Sequence, residues 1–228
     1  MAWFGRDCGY DRTRVLAQAT RALRKRRHAK ALALYRRILE HEPHNADLHR
    51  RVAPLFARTG RPVEAWASYR RAAEHLAGGG FVDQAIGVYR DACERLPRQS
   101  DAWLAVSHLE VERGRPRDAI EALKQGRRRF RSRRDRPVAM LLLRRARQID
   151  PRDFDVSFDL AGLAVQAGLR SQADRLLDEV AAHCDRGQLR RVRRRQFALA
   201  PGLGTGWRWL RALVGAERPR SASHPATR

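Results

Sequence analysis

Residues 57–72 read ARTGRPVEAWASYRRA, and the pattern returns as VERGRPRDAIEALKQG at 111–126 and VQAGLRSQADRLLDEV at 165–180. Each copy carries a glycine (Gly60, Gly114, Gly168), an alanine five residues later (Ala65, Ala119, Ala173) and a large side chain four beyond that (Tyr69, Leu123, Leu177). Glycine suits the left-handed position just past a helix end. A small and a large residue four apart share one helix face. Each copy is therefore helix, turn, helix.

The rhythm extends outward from these copies. Alanine anchors at Ala31, Ala65, Ala85, Ala119, Ala139 and Ala173 are spaced 34, 20, 34, 20 and 34 residues apart. Four residues on stand Tyr35, Tyr69, Tyr89, Leu123, Leu143 and Leu177, and three further come Ile38, Ala72, Ala92, Gly126, Ala146 and Val180. Pro43, Pro97 and Pro151 close three of the helices at intervals of 54 residues. Proline ends a helix because it lacks the N–H and crowds the preceding turn. The spacing predicts helices over 12–27, 29–41, 46–59, 62–77, 81–95, 100–113, 116–130, 136–149, 154–167, 170–184, 188–199 and 204–214, with no strands. Pro54 falls inside the third and should kink it or delay its start. A helix with one apolar stripe cannot bury it alone, so the helices must stack on their chain neighbours.

This pattern resembles the tetratricopeptide repeat, a 34-residue helix pair with small and aromatic residues at fixed places. One repeat carries His49, Val52, Ala53, Phe56, Gly60, Ala65, Tyr69 and Ala72 at those places; the next carries Trp103, Val106, Ser107, Gly114, Ala119, Leu123 and Gly126. A third carries Leu160, Ala161, Ala164, Gly168, Ala173, Leu177 and Val180. The resemblance spans residues 28–214 and implies an all-α fold, a right-handed superhelical TPR-like α-solenoid of antiparallel helices. The 20-residue steps depart from the family pattern. They require the helices at 62–77, 116–130 and 170–184 to serve two repeats each. Gly126 and Arg127 weaken the second of these junctions. The chain is accordingly divided into an N-terminal segment with the first helix (1–27), repeats (28–187), capping helices (188–215) and a disordered tail (216–228). In the cap, Trp207 and Leu210 occupy packing positions, followed by Leu213, while Trp209 covers the open end of the stack or lies half exposed. Trp3, Phe4 and Tyr10 fold back onto the first helix or stand free as an anchor.

Composition bounds the function. Apolar residues form 43% of the 228 residues, enough for a core, and Lys plus Arg outnumber Asp plus Glu 48 to 25, for a net charge of +23. Only Lys25, Lys30 and Lys124 are lysines, leaving 45 arginines. Such a balance favours acidic partners, although codon bias in a GC-rich genome also raises arginine over lysine. Cys8, Cys93 and Cys184 form no CxxC or disulfide ladder, which favours a reducing compartment. No stretch is long and apolar enough for a signal peptide or a membrane span. The reading is a cytoplasmic protein.

No residue set announces catalysis. There is no GxGxxG after a strand, no phosphate-binding GxxxxGKS/T and no GxSxG. The glycines at 78–80 read as a turn, Cys93 and Cys184 as small buried hydrophobes, and His41, His44 and His49 as solvated turn residues. Glu64, Asp83, Asp118 and Asp174 fall in first helical turns, where a carboxylate meets free amides. No metal or cofactor is expected, and the chain is not expected to be an enzyme.

Two surfaces remain. The groove positions implied by the resemblance include Arg50, Arg58, Leu104, His108, Val111, Phe158 and Val165, a mixed apolar and polar lining. It suits an acidic or amphipathic segment of another protein. Pro54 and His108 stand where the family's carboxylate clamp wants an amide, which argues against a chaperone tail. The alternative is an arginine rim around Arg127, Arg128, Arg129, Arg131, Arg133 and Arg134, which would hold nucleic acid or another polyanion with steep salt dependence. Further arginine runs lie at 21–27 and 190–195.

Overall fold

Several helices start where the sequence supplies an acceptor for their free amides or a proline that has no amide to satisfy. In the computed structural model, which describes residues 10–215, Asp11 accepts from the Arg14 amide, Asn45 from Leu48 and Asp153 from Val156. Asp185 accepts from Gln188 at 2.7 Å while the Gln188 side chain accepts from the Asp185 amide at 3.0 Å, a reciprocal capping box. Pro62 and Pro116 open their helices directly.

Twelve α-helices and no strand occur among the described residues: α1 (Arg12–Arg24), α2 (His28–His41), α3 (Ala46–Arg58), α4 (Pro62–Gly78), α5 (Val82–Arg95), α6 (Ser100–Glu112), α7 (Pro116–Arg129), α8 (Arg136–Ile149), α9 (Phe154–Gln166), α10 (Arg170–Ala181), α11 (Arg186–Leu199) and α12 (Leu203–Val214). A single 3₁₀ turn, Arg133–Asp135, precedes α8. The fold is all-α, in the manner of a TPR-like α-solenoid. α3 starts at Ala46 and runs through Pro54, so the proline does not delay its start. Residues 1–9 and 216–228, and with them the expectations for Trp3, Phe4, Cys8 and the tail, lie outside the described residues.

The turns repeat as closely as the sequence. Gly60, Gly114 and Gly168 take φ of +73°, +71° and +81°, and the next amide bonds back to Phe56, Glu110 and Ala164 at 2.9, 2.8 and 2.8 Å. This is the Schellman closure, in which the left-handed residue satisfies the last carbonyls. Gly80, at +81°, closes α4 in the same way, with the Phe81 amide on the Leu76 carbonyl at 2.8 Å.

All six alanine anchors are fully buried, and so are five of the six larger partners to within 1%; Tyr89 is 7% exposed. The chain divides into two compact units, Met1–Leu109 and Glu110–Arg228. In the first, α4 packs on both α3 and α5, and α3 meets α5; α2 joins α3 and α1 joins α2. In the second, α10 packs on both α9 and α11, α9 meets α11, α8 lies against α7 and α9, and α12 rests on α11. Sharing of one helix between two partners, required by the 20-residue steps, is thus present at α4 and α10.

Candidate interaction surface

The N-terminus of α3, the end of α4 and the start of α5 enclose an open cleft of 720 Å³ in the first unit. His44, Asn45, Asp47 and Arg50 form one wall, Ala72, His75 and Leu76 another, and Gly78, Gly79, Phe81 and Gln84 the third. Each wall follows from local rules. Asn45 caps α3 and fixes where Asp47 and Arg50 leave the helix. The glycine turn brings Phe81 round to begin α5, leaving its ring 57% exposed at the rim. Arg50 reaches Asp47 at only 3.6 Å, and both are exposed. A pair so wet and so long contributes little, so the guanidinium is available to another carboxylate.

Of the seven expected groove residues, Arg50 alone lines this cleft. Arg58 is exposed at the far end of α3, where its Nη1 donates to His28 Nε2 at 3.2 Å. On α6, Leu104 is half-buried, His108 exposed and Val111 37% exposed. Val165 is half-buried on α9. Phe158 is buried at 7% exposure beneath the molecule's own arginines. Arg195 lies 3.7 Å and Arg191 4.8 Å from its ring centroid, and Arg195 Nη1 donates to the Phe158 carbonyl at 2.6 Å. Gly162 makes room for this, since a Cβ there would stand 2.9 Å from Arg195 Nη1. The part of α9 marked as groove is therefore covered by α11.

The arginine rim also resolves into individual partners. Arg127 Nε approaches Asp159 at 3.7 Å, Arg128 approaches Glu121 at 4.0 Å and Lys124 bonds Asp153 at 2.8 Å, around a polar cleft of 360 Å³. Arg131 donates to the Arg128 carbonyl at 2.9 Å. Arg129, Arg133 and Arg134 are exposed, with no carboxylate partner among the described residues. Phe130 is buried. In the run at 190–195, Arg191 and Arg195 turn onto aromatic rings, while Arg193 approaches Asp178 at 3.9 Å.

Three sequence expectations are corrected. His49 is not a solvated turn residue: it is 4% exposed, and its Nε2 meets the Pro43 carbonyl at 2.9 Å. Trp103, 54 residues on, donates its indole N–H to the Pro97 carbonyl at 3.2 Å, so His49 fills a packing position of the repeat. Asp174 does not sit in a first turn; α10 begins at Arg170, and Asp174 accepts from Gln196 at 3.4 Å. Trp207 and Leu210 are 62% and 48% exposed. The half-buried Trp209 is the one that packs, stacking on Phe197 with centroids 5.4 Å apart.

Among the described residues no group of three His, Cys, Asp or Glu side chains could hold a metal. Cys93 and Cys184 are buried and in no disulfide among the described residues, and burial pushes the Cys93 thiol up to about 12.

Residues 16–79 match the Tetratricopeptide repeat family. The chain contains a TPR-type helical repeat domain, a fold that generally mediates protein–protein interaction. No curated protein matches the sequence significantly. Among solved structures, it is similar to pilF of Pseudomonas aeruginosa, at 15% identity over 92% of this chain and 94% of that one, with a TM-score of 0.30. It is also similar to TTC0263, a thermophilic TPR protein of Thermus thermophilus, at 18% identity over 90% of this chain and 100% of that one, with a TM-score of 0.26. At these scores the likenesses carry no conclusion about function. Among the described residues no helix is long and apolar enough to cross a membrane.

Proposed function

We propose that the chain is a non-catalytic interaction module whose first unit holds an acidic, amphipathic segment of a partner protein in the cleft at the start of α3. The observation that carries this reading is the cleft itself, in which an available guanidinium (Arg50) and two imidazoles (His44, His75) face an exposed aromatic ring (Phe81). A segment with one apolar anchor and nearby carboxylates would bury the anchor against Leu76 and Phe81 and orient its charge on Arg50. Binding of this kind depends on a few anchors. The reading is tested with the full chain on an array of peptides that combine Asp or Glu with one large apolar residue. Arg50→Glu and Phe81→Ser should each weaken the best binders by at least about tenfold. Unchanged binding by both variants overturns it.

A second reading rests on Arg129, Arg133 and Arg134, which are exposed around the 3₁₀ turn, while the turn's one acid, Asp135, is buried and accepts from the Ser132 amide. It assigns this turn to a polyanion. Replacing Arg128, Arg129, Arg131, Arg133 and Arg134 by Gln should then abolish retention of a single-stranded homopolymer, with a steep salt dependence in the parent chain. Peptide binding at the first-unit cleft should survive the same change.

A further inference from the structure

α12 presents two apolar faces, and only one is used inside the molecule. The inner face rests on α11: Trp209 stacks on Phe197, Ala212 is buried, and its carbonyl accepts from Arg190 at 3.2 Å. On the other side, Leu203 is 98% exposed, Trp207 62%, Leu210 48% and Val214 76%. At the helical pitch these four side chains fall within an arc of about 60°, opposite Trp209 and Ala212. Arg211 borders that arc on one side, about 40° beyond Trp207, and Leu213, 44% exposed, on the other; Arg208 falls about 100° beyond Trp207, toward Ala212. From Arg186 to Val214 the sequence has eight arginines and no Asp or Glu. Of these, Arg186, Arg194, Arg208 and Arg211 are exposed, with no carboxylate partner among the described residues.

We propose that α12 is a peripheral anchor for an anionic lipid surface. Leu203, Trp207, Leu210 and Val214 enter the headgroup region, and Arg211 at their border lies on lipid phosphate. The pairing of an aromatic and aliphatic stripe with an acid-free, arginine-lined flank is the signature of a helix lying in a membrane interface. Trp is favoured at that depth because its ring is apolar while its N–H stays hydrated. Basic side chains add attraction to the negative leaflet. At 12 residues, α12 lies on a bilayer and does not cross it. Charge decides against a second copy of the chain as occupant, because joining two α12 faces would bring together two acid-free arginine surfaces on molecules of net charge +23. The segment AERPRSASHPATR at 216–228 has no large apolar side chain with which to cover the stripe. This proposal does not depend on the cleft at α3.

The test is flotation of the full chain with vesicles of phosphatidylcholine alone and with one-third phosphatidylglycerol. Binding is expected only to the anionic vesicles, with a blue shift of Trp emission. A triple variant, Leu203→Gln, Trp207→Gln and Leu210→Gln, changes only exposed positions and should partition at least about tenfold less. Arg211→Gln should weaken binding and flatten its salt dependence. Circular dichroism of each variant checks that the helices remain. Equal flotation of parent and triple variant overturns the proposal. So does parent flotation that is indifferent to lipid charge, or a concentration-dependent doubling of mass that the triple variant abolishes.

Discussion

At the scale of single residues, Tyr69 and Glu42 each hold designated polar partners. Tyr69 is 1% exposed, and its hydroxyl donates to Asp91 at 2.5 Å, while Arg95 holds the other oxygen of the same carboxylate at 2.8 Å. Burial first, and the Asp91 hydrogen bond second, keep the phenol protonated far above its ordinary range. Tyr69→Phe removes the donor but leaves Asp91 its arginine, so a loss of about 1–2 kcal/mol is expected in urea unfolding. Glu42 behaves oppositely. A hydrogen bond from Asn45, and then one from Arg12, hold its carboxyl below the usual range. Its contribution is therefore complete above the ordinary carboxylate pKa and is lost as pH falls through the lowered value. The difference in melting temperature between the parent chain and Glu42→Gln should be present at neutral pH and close as pH falls below the ordinary carboxylate range. A gap that persists in acid counts against this. Cys93, with its thiol pushed up to about 12 by burial, should resist iodoacetamide at pH 8 in the native chain and react once urea opens it, as followed by peptide mass spectrometry.

Among elements, α4 shows most directly what the alternating spacing means. Ala72 and Ala73 are adjacent in sequence, about 100° apart around a helix, yet 1% and 0% exposed. Such a helix is covered on two sides, as its packing on α3 and α5 requires. Ala73→Leu should overpack that junction and cost about 1–3 kcal/mol, whereas a helix serving one partner would accept the larger side chain on its open flank. This double duty was legible in the sequence because proline, glycine and alanine mark ends and close contacts by steric necessity, whatever the tertiary context. The orientation of α12 was not legible. Trp207 and Trp209 offer the same side chain two residues apart, and the choice falls to Trp209 because it stacks with Phe197 of α11. That partner does not belong to the repeat pattern. The cover over Phe158 was hidden for a related reason: RRVRRR reads as a solvated run, and only the fold places Arg191 and Arg195 above aromatic faces, where burial works against the charge of Arg195. For the cleft at α3, the sequence supplied Arg50 but neither Phe81 nor His75, which arrive from helices about 30 residues away.

Over the whole molecule, stability should be distributed locally, since stacked repeats are supported mainly by their nearest neighbours. Leu177 on α10 is fully buried, and Leu177→Ala should cost about 2–5 kcal/mol of local stability. Hydrogen exchange should accelerate in α9, α10 and α11 while the protection of α2 to α5 is unchanged. A uniform acceleration along the chain would show instead that the molecule opens as one cooperative body. The 54-residue recurrence of the glycine turns and closing prolines has a last consequence, for length itself. Splicing in one more copy of residues 46–99, or excising one, returns every later side chain to the neighbour types it had before. Cutting by the commoner quantum of 34 would leave each downstream helix facing the wrong companion, so gene rearrangement can lengthen or shorten this protein cleanly only in steps of three helices.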